Sequence, residues 1–360
     1  MNKKKILIVS LSICLIIASV SAYIYFNNFL AKPLGPSLRE DLAGQPTSIL
    51  NQLPTPSQAS VQALTQQPLT TQQPSPTQSP PLCGDTPVLT VLVAGIDFRG
   101  DNYLYGLADV IRIVRVDFTI PKVTIFTLDR DIWVEIPGIQ DHYGITHGKL
   151  NQAYFYGVPA MGYYDGTAGG AGLLAKTLKW NFGLNVDNYV VANMAAFVRS
   201  VDALGGIDIY LPEPVEGPME NQGMVYFSAG AQHLSGQQAL NLARLREGYS
   251  SLIRITDQDA IIKGLNDKIT SPAVILKIPA LLQILKDTVL TDLSPNQINS
   301  TVCLVKNMDS TDLSFAEIPD SYYVQSKIYN PDIHQNVFIW DIDFNVIRSY
   351  VNDFQSGLWP

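Results

Sequence analysis

The run Val88-Leu89-Thr90-Val91-Leu92-Val93-Ala94-Gly95-Ile96-Asp97 constrains this chain more than any other stretch. It is apolar, rich in β-branched residues, and stops at a glycine followed by a carboxylate. A run this short and apolar reads as a strand buried on both faces. Open α/β sheets bind ligands beyond the carboxyl ends of their strands, which is where Asp97 falls. Asp109 then introduces a second run, Val110 to Val116, and a third, Val123 to Leu128, ends in Asp129-Arg130-Asp131. Strands with charged residues at one end predict that Asp97, Asp109 and Arg130 meet on one rim of a sheet.

Lys3-Lys4-Lys5 precedes an uncharged apolar run from Ile6 to Phe26 that closes on Tyr23, Tyr25 and Phe26. A helix of about 20 apolar residues crosses a bilayer. Basic residues stay cytoplasmic and aromatics settle at the interface. The expected order is therefore a cytoplasmic stub at 1–5, a transmembrane helix at 6–26, and an extracytoplasmic domain on a single-pass cell-membrane anchor. A cleaved signal peptide is the competing reading, but its apolar region runs to only about 7–15 residues. From 27 to 82 the chain is rich in Pro, Gln, Ser and Thr, as in Gln72-Gln73-Pro74-Ser75-Pro76. Such a segment buries too little apolar surface to offset its ordering entropy and reads as a disordered linker.

A net charge of −8 argues against nucleic acid, which wants a basic face. Cys14, Cys83 and Cys303 lack the paired short spacing of a zinc site. Outside the membrane disulfides persist. Cys83 stands at the entrance to the folded region and Cys303 lies in the strand-like run Thr301 to Val305, so the two are expected to pair. Free buried thiols are the alternative. Beyond Asp131 the pattern predicts a short strand at Trp133 to Gly138, a helix-like stretch from His147 to Tyr154, and a helix entered through the glycines at 166–172. A strand at Val186 to Val191, a helix at Met194 to Leu204 and a strand at Ile207 to Leu211 follow. Pro212, Pro214 and Pro218 mark an irregular connection, and Ser235 is a good N-cap. Helices are expected at Gln258 to Ile269, Ala273 to Leu285 and Asn345 to Phe354, and no composition break divides the region after Cys83.

Arg130, Arg244, Arg246 and Arg254, with Lys149, stand at element ends in an acidic protein. The guanidinium fork binds phosphate oxygens bidentately. Asp97 and Asp109 are suited to a hard divalent ion that bridges the same phosphates, as Mg²⁺ does through one or two carboxylates. Together these parts suit a pyrophosphate. A plainer arrangement pairs Arg130 with Asp129 or Asp131, and Arg244 and Arg246 with Glu247. On a strand Arg244 and Arg246 would share a face; on a helix they would diverge.

The stretches Val91-Leu92-Val93-Ala94-Gly95-Ile96-Asp97-Phe98-Arg99, Asp109-Val110, Asp129-Arg130-Asp131 and Lys149-Leu150-Asn151-Gln152-Ala153-Tyr154 occur in that order. They are followed by Val201-Asp202-Ala203-Leu204-Gly205-Gly206-Ile207-Asp208, by Leu234-Ser235-Gly236-Gln237-Gln238-Ala239-Leu240 with Arg244-Leu245-Arg246, and by Arg254 and Gln258. In this series the chain resembles the LytR-CpsA-Psr family of envelope proteins, from about Val88 to Ile269. The resemblance implies a three-layer α/β/α domain with a central mixed sheet at 83–270, to which 271–360 adds an extension packed on the same domain. It implies transfer of a polyprenyl-pyrophosphate-linked glycopolymer to the cell wall or another envelope acceptor, with Mg²⁺ or Mn²⁺ as cofactor.

Carried over by position, Asp97 and Asp109 would hold the metal, and Arg130, Arg244, Arg246 and Arg254 would act on the phosphates. Arg99, Lys149, Asn151 and Gln258 would bind substrate. Apolar residues of the Leu173–Phe182, Met194–Leu204 and Leu240–Leu242 helices would line a lipid tunnel. The family pattern carries arginine where this chain has Leu107 and Asp257, and an acidic residue where it has Ser251. A non-catalytic module that binds the lipid-linked glycan is thus the alternative to a transferase. The transcriptional role in an older name of the family fits neither the acidity nor the expected location. If Cys83 and Cys303 are paired, thiol titration of the denatured, unreduced chain finds Cys14 alone; reaction of all three cysteines means the pair is absent.

Overall fold

The structure, a computed structural model, describes residues 31–43, 80–100, 102–139, 141, 144–219, 223–245, 251–271, 288–309, 311–331 and 333–360, with backbone alone at 251–256. The expected anchor at 6–26 and the apolar segment at 273–285 lie outside the described residues. Among the described residues, no helix is long and apolar enough to cross a membrane.

In chain order a short helix α1 (Leu38–Leu42) precedes strands β1 (Val88–Ile96), β2 (Ala108–Asp117), β3 (Lys122–Thr127), β4 (Trp133–Glu135) and β5 (His147–Lys149). Helices α2 (Leu150–Gly157) and α3 (Gly169–Phe182), strand β6 (Asn188–Asn193) and helix α4 (Met194–Ala203) follow. Next come β7 (Ile207–Leu211), β8 (Val215–Met219), β9 (Gly223–Phe227), β10 (Gly230–Leu234), α5 (Gly236–Arg244) and α6 (Ser251–Thr270). The chain closes with β11 (Val289–Thr291), α7 (Pro295–Val305), β12 (Leu313–Ala316), β13 (Val324–Asn330), β14 (Gln335–Asp341) and α8 (Phe344–Ser356).

The central sheet runs β11-β6-β1-β2-β3-β12. Its β1–β6 and β3–β12 pairs are parallel and the others antiparallel, so it is mixed. One face of β1 and β2, with Leu92, Ala94, Ile111 and Ile113, packs under α2, α3 and α8 in the main core. The other face carries Leu89, Val91 and Val116, which pack with Leu304 of α7. A separate core joins Val201, Ile207, Leu234 and Leu242 of α4, β7, β10 and α5.

Several expectations need correction. The run Thr301 to Val305 is helical, not a strand. Ser294 caps α7, its Oγ accepting from the Gln297 N–H while the Gln297 side chain accepts from the Ser294 N–H, and Pro295 opens the first turn. That capping box outweighs the β preference of three β-branched residues. Cys303 nonetheless bonds to Cys83, with their Cα atoms 5.9 Å apart. His147 to Lys149 pairs with β4 as a strand, and the helix begins only at Leu150. The proline-rich connection contains the hairpin β8–β9; Pro218 is tolerated because a two-stranded ribbon leaves one edge unpaired. Arg244 ends α5, and Arg246 lies outside the described residues.

The largest departure concerns the linker expected at 27–82, since its residues 31–43 are packed on the domain. Leu38 is fully buried in the main core, and its N–H donates to Asp292 Oδ2 at 2.9 Å. Asp41 accepts from the amides of Thr167 at 2.7 Å and Ala168 at 3.1 Å. Composition averaged over the whole segment hides Leu38 and Leu42, four residues apart on one face of α1. Leu38→Ala should lower the unfolding free energy by about 2–5 kcal/mol, read by urea denaturation. An unchanged midpoint would show that α1 is not docked in solution.

Candidate active site at the rim of the sheet

Strands β1 and β2 pair residue against residue from Val88↔Asp117 to Gly95↔Val110, and the register then slips so that Ile96 faces Ala108. The slip leaves Asp109 out of the ladder at the strand end, and backbone bonds fix both carboxylates to Leu107. Asp97 N and Asp109 N donate to the Leu107 carbonyl at 3.1 and 3.0 Å, and Leu107 N donates to Asp97 Oδ1 at 2.7 Å. Gly106 makes the turn at φ +130°, where any Cβ would press on Ile96 and on Asp97 Oδ1.

Arg130 Nη1 pairs with Asp109 Oδ1, which also accepts from Asn151 Nδ2 at 3.3 Å. Arg130 Nε lies 3.5 Å from Asp131 Oδ2, and Lys149 Nζ holds Asp131 Oδ1 at 2.7 Å. Burial pulls the Arg130 guanidinium down, but Asp109 and Asp131 outweigh it and leave the group above its ordinary value. The pairing of Arg130 with Asp131 is thus present, and the pairing with Asp109 accompanies it.

Above these residues lies a cavity of about 410 Å³ between the half-buried stretch of β1 and β2, at Val93, Gly95 and Val110, and helices α4, α5 and α6. Its body is apolar, with Met194, Phe197, Leu240, Ile261 and Leu265 among its walls. Asp97, Asp109, Arg99, Arg244 and Gln258 line its polar part. Of the other sequence-derived residues, Arg130 and Asn151 reach it through Asp109, and Lys149 stands one step further off through Asp131. The side chain of Arg254 is outside the described residues, as is Arg246. The tunnel lining expected from Leu173–Phe182 is corrected, since Leu173, Leu174, Leu178 and Phe182 belong to the main core on the opposite face of the sheet. On α4 and α5, Met194, Phe197 and Leu240 line the cavity while Leu242 points into the separate core.

Two residues on the cavity wall were not singled out by motif. Asn193 is buried and caps α4 through Oδ1 to the Ala196 N–H at 2.8 Å, while its Nδ2 donates to Gly100 O at 3.0 Å. It therefore ties the loop bearing Arg99 to the start of a helix, whose positive end favours anions. Arg112 sits mid-strand in β2 and is 2% exposed. The signal in the sequence was a charge between two isoleucines, in a run whose other charge is Arg115.

Asp97 and Asp109 fit a hard divalent ion, which takes one or two protein carboxylates and fills its shell with water and phosphate oxygens. No group of three or more His, Cys, Asp or Glu side chains able to hold a metal occurs among the described residues. Such an ion would depend on oxygens brought by its ligand.

The mixed α/β domain thus carries an apolar cavity whose polar part gathers carboxylates and arginines. The chain belongs to the LytR_cpsA_psr family, whose family model matches residues 56–343. It is 28% identical over 214 residues to the polyisoprenyl-teichoic acid–peptidoglycan teichoic acid transferase TagU of Oceanobacillus iheyensis, covering 59% of this chain and 61% of the relative. The chain thus spans about three-fifths of that relative's length. Its fold resembles that of Bacillus subtilis TagV, with a TM-score of 0.59 and 20% identity, covering 75% of this chain and 97% of that one. A structure of TagT bound to LI-WTA has a TM-score of 0.55 at 20% identity, covering 75% and 90% of the two chains.

Two carboxylates of α6 are shifted toward the neutral form by their surroundings. Burial pushes half-buried Asp257 up to about 6. Burial, with a hydrogen bond to Glu317 and against the pull of Arg112, pushes Asp259 up to about 7. Both values exceed the ordinary aspartate value of about 3.9, so the fold favours the protonated form. The stability from this is full below about pH 4 and is lost as pH rises through the folded values. Asp257→Asn should match the parent near pH 4 and melt above it beyond about pH 6. Equal melting temperatures across that range would show that Asp257 is not desolvated.

Proposed function

We propose that this chain is a membrane-anchored extracytoplasmic phosphotransferase that moves a polyprenyl-pyrophosphate-linked glycopolymer onto the cell wall or another envelope acceptor. The observation that carries this reading is the apolar cavity whose mouth holds Asp97, Asp109, Arg99 and Arg244, with Arg130 braced against Asp109. The likeness to a relative named as a teichoic acid transferase supports a glycopolymer as the group transferred. The related fold of TagT bound to LI-WTA supports a ligand of that kind. Lys3 to Lys5 and the apolar run Ile6 to Phe26 supply the anchor, with the N-terminus cytoplasmic.

In this reading the lipid tail lies along Met194, Phe197, Leu240, Ile261 and Leu265, and the pyrophosphate rests against the polar lining residues. An acceptor hydroxyl attacks the phosphorus that bears the glycan. Its oxygen–phosphorus bond forms as the bond to the bridging oxygen breaks, polyprenyl phosphate leaves with that electron pair, and the hydroxyl proton passes to solvent. Charge grows on the bridging oxygen, where Arg244 and Arg99, with Arg246 and Arg254 assigned by family position, oppose it. Arg130 and Asn151 hold Asp109 in place. Mg²⁺ or Mn²⁺ on Asp97 and Asp109, when bound, would neutralise phosphate charge. The second reading, a module that binds the lipid-linked glycan without turnover, is favoured by the engagement of Arg130 and Lys149 with Asp131 and by Leu107, Ser251 and Asp257.

The test uses the full-length chain in detergent with Mg²⁺, a polyprenyl-pyrophosphate-linked glycan and a wall acceptor. Release of polyprenyl phosphate should fall by about 10²–10³-fold in Asp109→Ala and in Arg130→Ala, and stop on chelation. Binding without release by the wild type selects the binding module. Neither binding nor release refutes both readings and leaves the fold.

A further inference from the structure

The central strand β2 carries a buried guanidinium that the reading above does not use. Arg112 is 2% exposed, stands opposite Val93 of β1 and Thr127 of β3, and lines the same cavity as Asp97, Asp109 and Arg244. Among the described residues, only one of its nitrogens is engaged. Nη2 meets Asp259 Oδ1 at 2.9 Å and Gln258 Oε1 at 3.4 Å. Nε and Nη1 are buried without a hydrogen-bond partner, and so is Oγ1 of Thr127 across the ladder.

An arginine placed here only for stability would be matched fork to fork by its carboxylate. This one is held by a single nitrogen from the α6 side, and two donors of a residue that lines the cavity are left buried and unmatched among the described residues. Unmade buried donors are costly, and a buried cation is tolerated only when paired. Asp259 and Glu317 both act on its charge, and burial and Glu317 push the Asp259 carboxyl up to about 7. Gln258 completes the support: its Nε2 donates to the Ala243 carbonyl at 3.3 Å, which orients Oε1 toward Arg112.

We propose that Arg112 is a ligand-binding residue whose free guanidinium edge receives an anionic oxygen of the cavity's ligand, a phosphate or pyrophosphate group, while Gln258 and Asp259 are positioning residues that hold it. This rests on the reading of the cavity as a site for a lipid-borne pyrophosphate and adds a cation that no motif marks. It also changes the role of Gln258, which acts on the ligand through Arg112.

The experiment is calorimetry on the full-length chain in detergent with Mg²⁺, using farnesyl pyrophosphate, inorganic pyrophosphate and farnesol as probes. Arg112→Met should weaken farnesyl pyrophosphate by roughly 10- to 100-fold, the size of a charge-assisted bond, and leave farnesol within about twofold. Arg112→Lys, which keeps the charge and loses the fork, should fall between Arg112→Met and the wild type. Asp259→Asn should leave pyrophosphate binding intact or tighten it. Unchanged farnesyl pyrophosphate binding in Arg112→Met overturns the inference alone. Equal weakening of farnesol overturns it too, since the damage would then be to the apolar wall. If Arg112→Met does not fold, Arg112→Lys decides: its preference for pyrophosphate over alcohol must drop. A wild type that binds inorganic pyrophosphate through Arg112 but no lipid keeps this inference and loses the lipid reading. A wild type that binds neither pyrophosphate loses both.

Discussion

Strand β1 is hydrogen-bonded on both sides, antiparallel to β2 and parallel to β6, and the site takes its position from that double pairing. A strand paired on both edges can vary only in what its alternating side chains meet. Leu92, Ala94 and Ile96 go to the main core, whereas Val93 and Gly95 face the other way and stay half-buried on the cavity. The register slip at Gly95 and Ile96 adds one residue to β2 at the rim. Bulges of this kind re-aim side chains at sheet ends. Here the slip lets the Leu107 backbone gather Asp97 and Asp109, to which Arg130 and Asn151 then attach.

The two faces of the sheet are closed differently, and the difference produces the cavity. Beneath the sheet, α2 and α3 touch backbone to backbone: a Cβ on Gly157 would lie 2.7 Å from Leu173 Cβ and 2.8 Å from Gly170 Cα. That close approach leaves a filled core. On the other side, α4, α5 and α6 share a core of their own with β7 and β10. Their remaining apolar residues meet the sheet only along a seam, the kind of place where ligand sites form. Arg112 and Gln258 occupy that seam.

The N-terminal part of the domain is held at separate points. Buried Asp292 accepts from the Leu38 N–H and from the Tyr189 N–H, so one carboxylate joins α1 to β6. Cys83 is joined to α7 through Cys303. On the anchor proposed for 6–26, only residues 27–30 separate the membrane from the docked segment. The proline-rich stretch then starts and ends on the domain, and is no longer a simple spacer between membrane and fold.

Much of this was legible in the amino-acid order. The strands β1, β2, β3 and β7, the Ser235 cap and the meeting of Asp97, Asp109 and Arg130 follow from alternation, capping and the charges at strand ends. These are local properties, expressed within a few residues of their cause. Where local signals competed they misled, as at Thr301 to Val305, where β-branched residues sit in a well-capped helix. The docking of Leu38, the placement of Leu173–Phe182 away from the cavity and the setting of Arg112 were decided by the tertiary structure alone. Leu38 and Asp292 are 254 residues apart, and Arg112 and Gln258 are 146 apart. Contacts at such separations depend on which faces of distant elements meet, and no window of sequence contains that choice.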